Sequence, residues 1–356
     1  MNPTVVILAA GLGTRMKSGT AKALHQLAGR PLVQHVLNAA MATGPGKIVL
    51  VLGHQADKVR EAVRKYKPEV VLQFEQLGTG HAVRQAREFI AEAVGPVMVL
   101  CADTPLLTGG TLRKVVELHQ KSRAAVTLIT ARVQNPFGYG RVVRGKSGIV
   151  RIVEEKDATA AQKKITEVNA GIYCFDKKFL LESLDGLGKN NAQGEYYLPD
   201  AVARAAKKKL RVSAFASENA DEVMGVNTRH DLSRAEAVLR ERVTRKWMLD
   251  GVTMLDPVST FIDDEVILGR DTVLYGNVRL EGRTRIGEAC TVFPGSRIAD
   301  SMIGNGVTVK DCSVIEESDI APGASVGPFA HLRPGSVIGA RAKIGNFVEV
   351  KKSTIG

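Results

Sequence analysis

Four residues near the start of the chain could do phosphate chemistry. In LAAGLGTRM (residues 8–16), Gly11 and Gly13 precede Arg15, and Lys22 follows shortly after. Glycines let backbone amides approach a ligand closely, and successive amides form an anion nest. Arg15 and Lys22 add fixed positive charge suited to a triphosphate. The stretch is not a Walker A motif, because no Gly-Lys-Ser/Thr follows. It is not a complete GxGxxG either, since Met16 holds the last glycine position. By itself it reads either as a phosphate loop or as an ordinary tight turn.

Other candidates lie further along. Asp103 ends PVMVLCAD (residues 96–103). Its carboxylate suits a hard cation such as Mg²⁺, and its position before Pro105 equally suits a turn or helix-capping aspartate. Asn227 reads as a helix-start residue before Thr228. Cys101 has no basic neighbour in sequence to activate it, so it is not read as a nucleophile. Cys101, Cys174, Cys290 and Cys312 show no metal-ligand spacing, as expected of reduced thiols in a cytosolic protein.

The elements that must position these residues fall into two rhythms. TVVIL (4–8), IVLVL (48–52), VVLQF (70–74) and PVMVL (96–100) read as strands buried on both faces. Between them lie amphipathic segments such as PLVQHVLNAAM (31–41), with Pro31 in the first turn. This alternation predicts a doubly wound, Rossmann-like α/β domain with a mostly parallel sheet, whose ligands bind beyond the carboxyl ends of the strands. Residues 228–250 read as one charged linker helix.

Then the period becomes six. Leu268, Leu274, Leu280, Ile286, Val292 and Ile298 form one run; Ile303, Val309 and Ile315 a second; Ile320, Val326, Leu332, Ile338, Ile344 and Val350 a third. Glycine follows at Gly269, Gly287, Gly304, Gly327, Gly339 and Gly345. Fifteen aliphatic positions in hexads, three hexads to a coil, predict a left-handed parallel β-helix of five coils. The expected domains are residues 1–227, a linker helix 228–250 and the β-helix 251–356. Ile355-Gly356 reads as the opening of another hexad with no terminal cap, so a truncated β-helix is expected.

The formal charge of +12 is compatible with polyanionic small substrates or with plain solvated lysine and arginine. Lys207, Lys208 and Lys209 cluster without aromatic neighbours, and only 5% of the chain is aromatic, which argues against a nucleic-acid surface. No apolar run approaches the ~18 residues of a membrane span. A soluble cytoplasmic protein is expected, with no membrane partner.

The loop, with AKALHQLAGRPL after it, resembles the signature of sugar-1-phosphate nucleotidylyltransferases. EQLGTGHA (75–82), NPFGYGRVV, IVEEKDAT (152–159), NAGIY (169–173) and NNAQGEYYLPD (190–200) narrow the likeness. With the hexapeptide repeats, they resemble the bacterial bifunctional N-acetylglucosamine-1-phosphate uridylyltransferase/glucosamine-1-phosphate acetyltransferase family over nearly the whole chain. The resemblance implies transfer of UMP from UTP to N-acetylglucosamine 1-phosphate with Mg²⁺, for peptidoglycan and lipopolysaccharide precursors, in a homotrimer. It places Leu8, Ala9, Ala10, Gly11, Gly13 and Thr14 at the nucleotide, and Gln73, Gly78 and Thr79 at uracil. It places Gly140, Glu154 and Asn169 at the sugar, beside Cys101 and Ala102. Arg15 and Lys22 would act on the phosphates, and Asp103 with Asn227 would hold the metal. Read from position alone, Gln73 could instead face solvent, and Glu154 could belong to a solvated charge run.

The family commonly has Tyr-Gly-Asp where this chain has Cys101-Ala102-Asp103, which adds a β-carbon near the sugar position. Arg333 and Lys351 match basic residues that bind sugar phosphate in the acetyltransferase half. The family's catalytic histidine there lies beyond residue 356, and His331 does not correspond to it, so acetyl transfer is not expected of this chain. Two alternatives remain at this stage: a nucleotidylyltransferase for another sugar phosphate, and a non-catalytic scaffold of the same fold.

Overall fold

Apolar runs with no polar alternation pack best when covered on both sides, and three of the four expected strands are so covered. The fourth, at residues 70–74, is not, since it lies at the sheet edge with Val70 and Val71 half-buried and Leu72 exposed. The computed structural model describes residues 2–146 and 148–356. Nine strands among them make one sheet: β1 (Thr4–Ala9), β2 (Lys47–Leu52), β3 (Glu69–Leu72), β4 (Val97–Cys101), β5 (Val126–Arg132), β6 (Gly140–Gly145), β7 (Gly148–Val153), β8 (Glu167–Phe175) and β9 (Val212–Ala216). The order is β9-β5-β8-β4-β1-β2-β3, with β6 and β7 attached to β8 as a hairpin extension. Along β1, Val5 and Ile7 join one core with Val33, Val36 and Leu112, while Val6 joins the opposite core with Val83 and Leu180. Each such fully buried aliphatic side chain stabilises the fold by roughly 1.5–3 kcal/mol.

The sheet is parallel from β4 through β3, but β8 runs antiparallel to both β4 and β5. A register break between Asn169 and Tyr173 puts a bulge in β8. The strand expected over residues 70–74 ends earlier, at Leu72, although the Gln73 amide still donates to the Leu52 carbonyl (2.7 Å). The chain runs from β1 outward to β3, then crosses back to place β4 on the other side of β1. The carboxyl ends of β1 and β4 therefore flank the point where strand order reverses, the usual crevice for a ligand in such sheets.

The chain falls into two compact units, Met1–His25 with Pro31–Ala235 and Gln26–Arg30 with Glu236–Gly356. The expected linker helix forms over Arg229–Leu249. In the second unit, three parallel sheets of six strands each stack coil on coil, giving the left-handed β-helix. The aliphatic column of one sheet, Leu274, Val292, Val309 and Val326, is completely buried. There are six coils rather than five. The additional one begins at Thr253–Met254, and its next inward residue, Ile262, comes eight positions after Met254. A corner tied by Ser259 Oγ to Asp256 Oδ2 (2.6 Å) and Thr260 Oγ1 to the Asp256 carbonyl (2.7 Å) takes up the extra length and hides the period.

Some of the glycines after the aliphatic residues have a steric cause. A β-carbon on Gly269 would lie 2.4 Å from the Gly287 carbonyl carbon, and one on Gly287 would lie 2.3 Å from Asn305 Oδ1. Buried hydroxyls two residues before many of the aliphatic positions were not legible as a pattern. Thr272 donates to the Gly287 carbonyl (2.9 Å) and Ser296 to the Lys310 carbonyl (3.1 Å), satisfying backbone between coils.

Candidate active site

The loop after β1 is built so that a lysine can cross it. Gly13 has φ +62°, and a β-carbon there would lie 2.7 Å from Lys22 Cβ. Thr14–Met16 make a single 3₁₀ turn whose Met16 side chain is buried, anchoring the turn in the core. Gln55, which sequence reasoning missed, ties down the rest: it accepts from the Ala21 amide (3.0 Å) and donates to the Gly19 carbonyl (2.6 Å). The loop's far end is thereby fixed, and Lys22 projects back toward the strand ends.

There it meets two oxygens from distant parts of the chain. Lys22 Nζ lies 2.5 Å from Asp103 Oδ2 and 2.8 Å from Asn227 Oδ1. Arg15 Nη2 donates to the same Asn227 oxygen at 2.8 Å. Asp103 is placed because the Ala102 amide donates to the Leu8 carbonyl (3.0 Å), carrying the β1–β4 pairing one residue past the strand end. Asn227 is placed from both sides: the Val226 amide donates to the Asp103 carbonyl (2.8 Å), and Asp231 caps the amides of Asn227 and Thr228 at 3.1 and 2.9 Å. Asp231 is a second residue the sequence reading missed.

A cleft of 410 Å³ opens over Lys22 and Asp103, with Arg15 and Asn227 outside its lining. Of the expected residues, Leu8, Ala9, Ala10, Gly11, Gly13, Thr14 and Lys22 line one side, and Gln73, Gly78, Thr79, Cys101, Ala102 and Asp103 line the rest. Gln76 and Glu195 line it too; both sit in motifs quoted above, but neither had been given a role. Gln73 is 4% exposed, so it does not face solvent. Its amide nitrogen lies 3.0 Å from His81 Nδ1 and 3.3 Å from the Gly78 carbonyl. Gly78 has φ +101°, and a β-carbon on it would strike the Tyr196 carbonyl at 2.7 Å. The Gly80 amide bonds that carbonyl (2.7 Å), and Thr79 Oγ1 accepts from the Leu198 amide (3.0 Å). EQLGTGHA and NNAQGEYYLPD, far apart in sequence, are thus one wall.

Gly140, Glu154 and Asn169 are not among the cleft-lining residues but gather beside it. A β-carbon on Gly140 would sit 2.9 Å from Glu154 Oε1, so that glycine makes room for the carboxylate. Buried Arg141 donates to the Tyr139 carbonyl and to Glu155 Oε2 (2.6 Å), joining the two segments. Asn169 donates to Tyr173 OH (2.7 Å) and accepts from the Gly171 amide (3.2 Å) within the β8 bulge; Cys101 Sγ lies 3.6 Å from the Gly171 carbonyl. Glu154 is half-buried, and desolvation, reinforced by Asp157 and Asp200, pushes its pKa up to about 7. It is no member of a solvated charge run. The Cys101 thiol is pushed up to about 12 by burial and then by Asp103, which keeps it protonated and unreactive. Arg333 and Lys351 lie in the β-helix unit, where Arg333 donates to Glu349 (2.8 Å) and Lys351 is exposed.

The donor set fits a hard divalent cation. Asp103 and Asn227 each direct an oxygen at one point, and a cation, the Lys22 ammonium, already lies within contact distance of both. No group of three or more His, Cys, Asp or Glu that could hold a metal occurs among the described residues, so phosphate oxygens would complete the shell, as is usual for Mg²⁺.

A glycine loop, a basic pair and two converging side-chain oxygens at the switch point of this sheet suit a nucleotidyltransferase, and that is the class to which the chain belongs. The nucleotidyl transferase family model matches residues 4–248, and the GMPPB C-terminal domain model matches residues 259–356. The bifunctional protein GlmU of Pelobacter propionicus is 48% identical over 357 residues, covering 100% of this chain and 78% of that protein. Those of Trichlorobacter lovleyi and Clostridioides difficile are 49% and 45% identical, covering 99% and 100% of this chain and 77% of each relative. The chain belongs to the GlmU family. A solved UDP-glucose pyrophosphorylase complexed with UDP-glucose is similar in fold, with TM-score 0.55 and 19% identity, covering 68% of this chain and 100% of that one. The nucleotidyltransferases of this family generally need a divalent metal. No helix among the described residues is long and apolar enough to cross a membrane.

Proposed function

We propose that the chain transfers UMP from UTP to N-acetylglucosamine 1-phosphate, releasing pyrophosphate and giving UDP-N-acetylglucosamine for cell-wall precursors. The observation that carries this is the convergence of Lys22, Asp103, Asn227 and Arg15, of which Lys22 and Asp103 line a glycine-rich cleft. The sugar phosphate attacks the α-phosphorus of UTP; the new P–O bond forms as the bond to pyrophosphate breaks. Two anions must meet, so positioning and charge neutralisation carry most of the work. The amides of Gly11, Gly13 and Thr14 and the Lys22 ammonium hold the triphosphate. Arg15 neutralises charge that builds on the transferring phosphate. Gln73 presents a donor and an acceptor to the uracil edge, beside Gly78 and Thr79. Gly140, Glu154 and Asn169 take the sugar, next to Cys101 and Ala102.

Mg²⁺, held by Asp103 and Asn227, supplies a further positive charge to the phosphates when bound. The working assembly is a homotrimer formed through the β-helix, in the cytoplasm. The exposed stack of Phe329 on Phe347 (ring centroids 5.2 Å apart) supports an apolar contact surface there. The domains work as 1–227 for uridylyl transfer, 228–250 as linker helix and 251–356 as the β-helix, where Arg333 and Lys351 face sugar phosphate.

The test is pyrophosphate release from UTP, Mg²⁺ and N-acetylglucosamine 1-phosphate, with glucose 1-phosphate and ATP as controls. Release with UTP and the N-acetylated sugar alone is expected. Equal release with glucose 1-phosphate would overturn the sugar assignment, and no release with any pair from folded protein would overturn the enzyme reading.

A further inference from the structure

The two segments that carry Lys22 and Asn227 are joined a second time, below the site. Lys22 opens a 3₁₀ turn, Lys22–Leu24, that closes when the His25 amide donates to the Lys22 carbonyl (3.2 Å). The His25 side chain is buried, at 6% exposure. Its Nδ1 lies 3.1 Å from Arg229 Nη1. A guanidinium can only donate, so Nδ1 must be the acceptor and the ring is neutral with its proton on Nε2. Arg229 opens the helix Arg229–Leu249, two residues beyond Asn227. The His25 carbonyl in turn accepts from the Leu32 amide (2.9 Å), tying the residue to the first turn of a core helix.

A closed ring results: Lys22, its turn, His25, Arg229, Asn227, and back to Lys22 through the 2.8 Å bond. In the resting chain the Lys22–Asn227 bond closes this ring directly. Once Lys22 turns to a phosphate, that bond is gone, and the His25–Arg229 contact still ties the Lys22 turn to the segment of Asn227, which the Val226–Asp103 bond holds from the other side. We propose that His25 is a positioning residue for uridylyl transfer, acting through Arg229 to keep Asn227 in register with the Lys22 turn. This rests on the roles given above to Lys22 and Asn227.

Three substitutions test it, each assayed for kcat, for both KM values and for the Mg²⁺ concentration giving half-maximal rate. His25→Leu removes the acceptor; His25→Asn keeps an oxygen near the place of Nδ1; Arg229→Met removes the donor from an exposed position and leaves the core intact. His25→Leu and Arg229→Met should each lower kcat about ten-fold or more and raise the Mg²⁺ requirement, with the sugar-phosphate KM little changed. His25→Asn should recover most of the loss, and the double variant His25→Leu/Arg229→Met should be no slower than either single one, because both remove the same contact. An unchanged kcat in Arg229→Met, or equal losses in His25→Leu and His25→Asn, would overturn the proposal. Lys22→Ala separates this from the underlying reading: full activity in Lys22→Ala sinks the phosphate role of Lys22, whereas an inactive Lys22→Ala beside an active Arg229→Met sinks only the brace.

Discussion

At the scale of single residues, the site depends on contacts between groups far apart in the chain. Lys22 and Asp103 are 81 residues apart, and Lys22 and Asn227 are 205 apart. For that reason sequence position could not separate a metal-binding Asp103 from a turn aspartate. Only the folded sheet sets it against Lys22. Asp103→Asn keeps the shape and removes the charge; it should cut kcat by at least about 100-fold while the melting temperature stays near that of the unaltered chain. Retained activity at ordinary Mg²⁺ would mean that the carboxylate is structural. Glu154 makes a pH-dependent prediction. Its pKa rises from 4.5 to about 7 on folding, chiefly through desolvation. The unfolded chain releases this proton first, so folding is penalised progressively between pH 4.5 and about 7 and fully above that, by up to about 3 kcal/mol. Glu154→Gln should therefore raise the melting temperature at pH 8, leave it unchanged at pH 4, and raise the KM for the sugar phosphate. Equal melting shifts at both pH values would show that burial of the charge is not the cause.

At the scale of elements, legibility followed the range of the interactions. The hexad period is local, so the β-helix could be read directly, apart from its first coil, where the Asp256–Thr260 corner lengthens the step to Ile262. The strands of the sheet could be read where they are covered on both faces. The antiparallel placement of β8 could not, because strand direction depends on which partners it meets and not on its own residues. The glycines of the β-helix look alike in sequence, yet space separates them. A β-carbon at Gly287 meets the neighbouring coil at 2.3 Å, whereas at Gly345 it meets nothing within 4 Å. Gly287→Ala should destabilise the chain by roughly 1–3 kcal/mol, and Gly345→Ala should fall within about 0.5 kcal/mol of no change. Urea denaturation of the two variants side by side checks this, and similar midpoints would show that the coils can move apart at little cost.

At the scale of the whole molecule, the two units are held by contacts of different reach. In the sheet, Thr4 pairs with Val97 and Asn169 with Gly140, so distant segments must come together before any of them is covered. In the β-helix, Val273 pairs with Thr291 and Thr291 with Thr308, each strand meeting only the next coil. Such an array is close to one-dimensional: each coil is stabilised by its two neighbours and by little else. Unfolding should therefore not be a single all-or-none event. Circular dichroism and hydrogen exchange followed through a denaturant series should resolve a sharp loss of the sheet and a broader transition in which the coils open one after another. Coincident curves from both probes would mean that the units unfold together. Graded opening has a further consequence. A coil can be added or lost by duplication or deletion of one turn's worth of sequence without rewriting the contacts of the others, so the length of this half can drift through evolution while the sheet, whose strands all depend on one another, cannot.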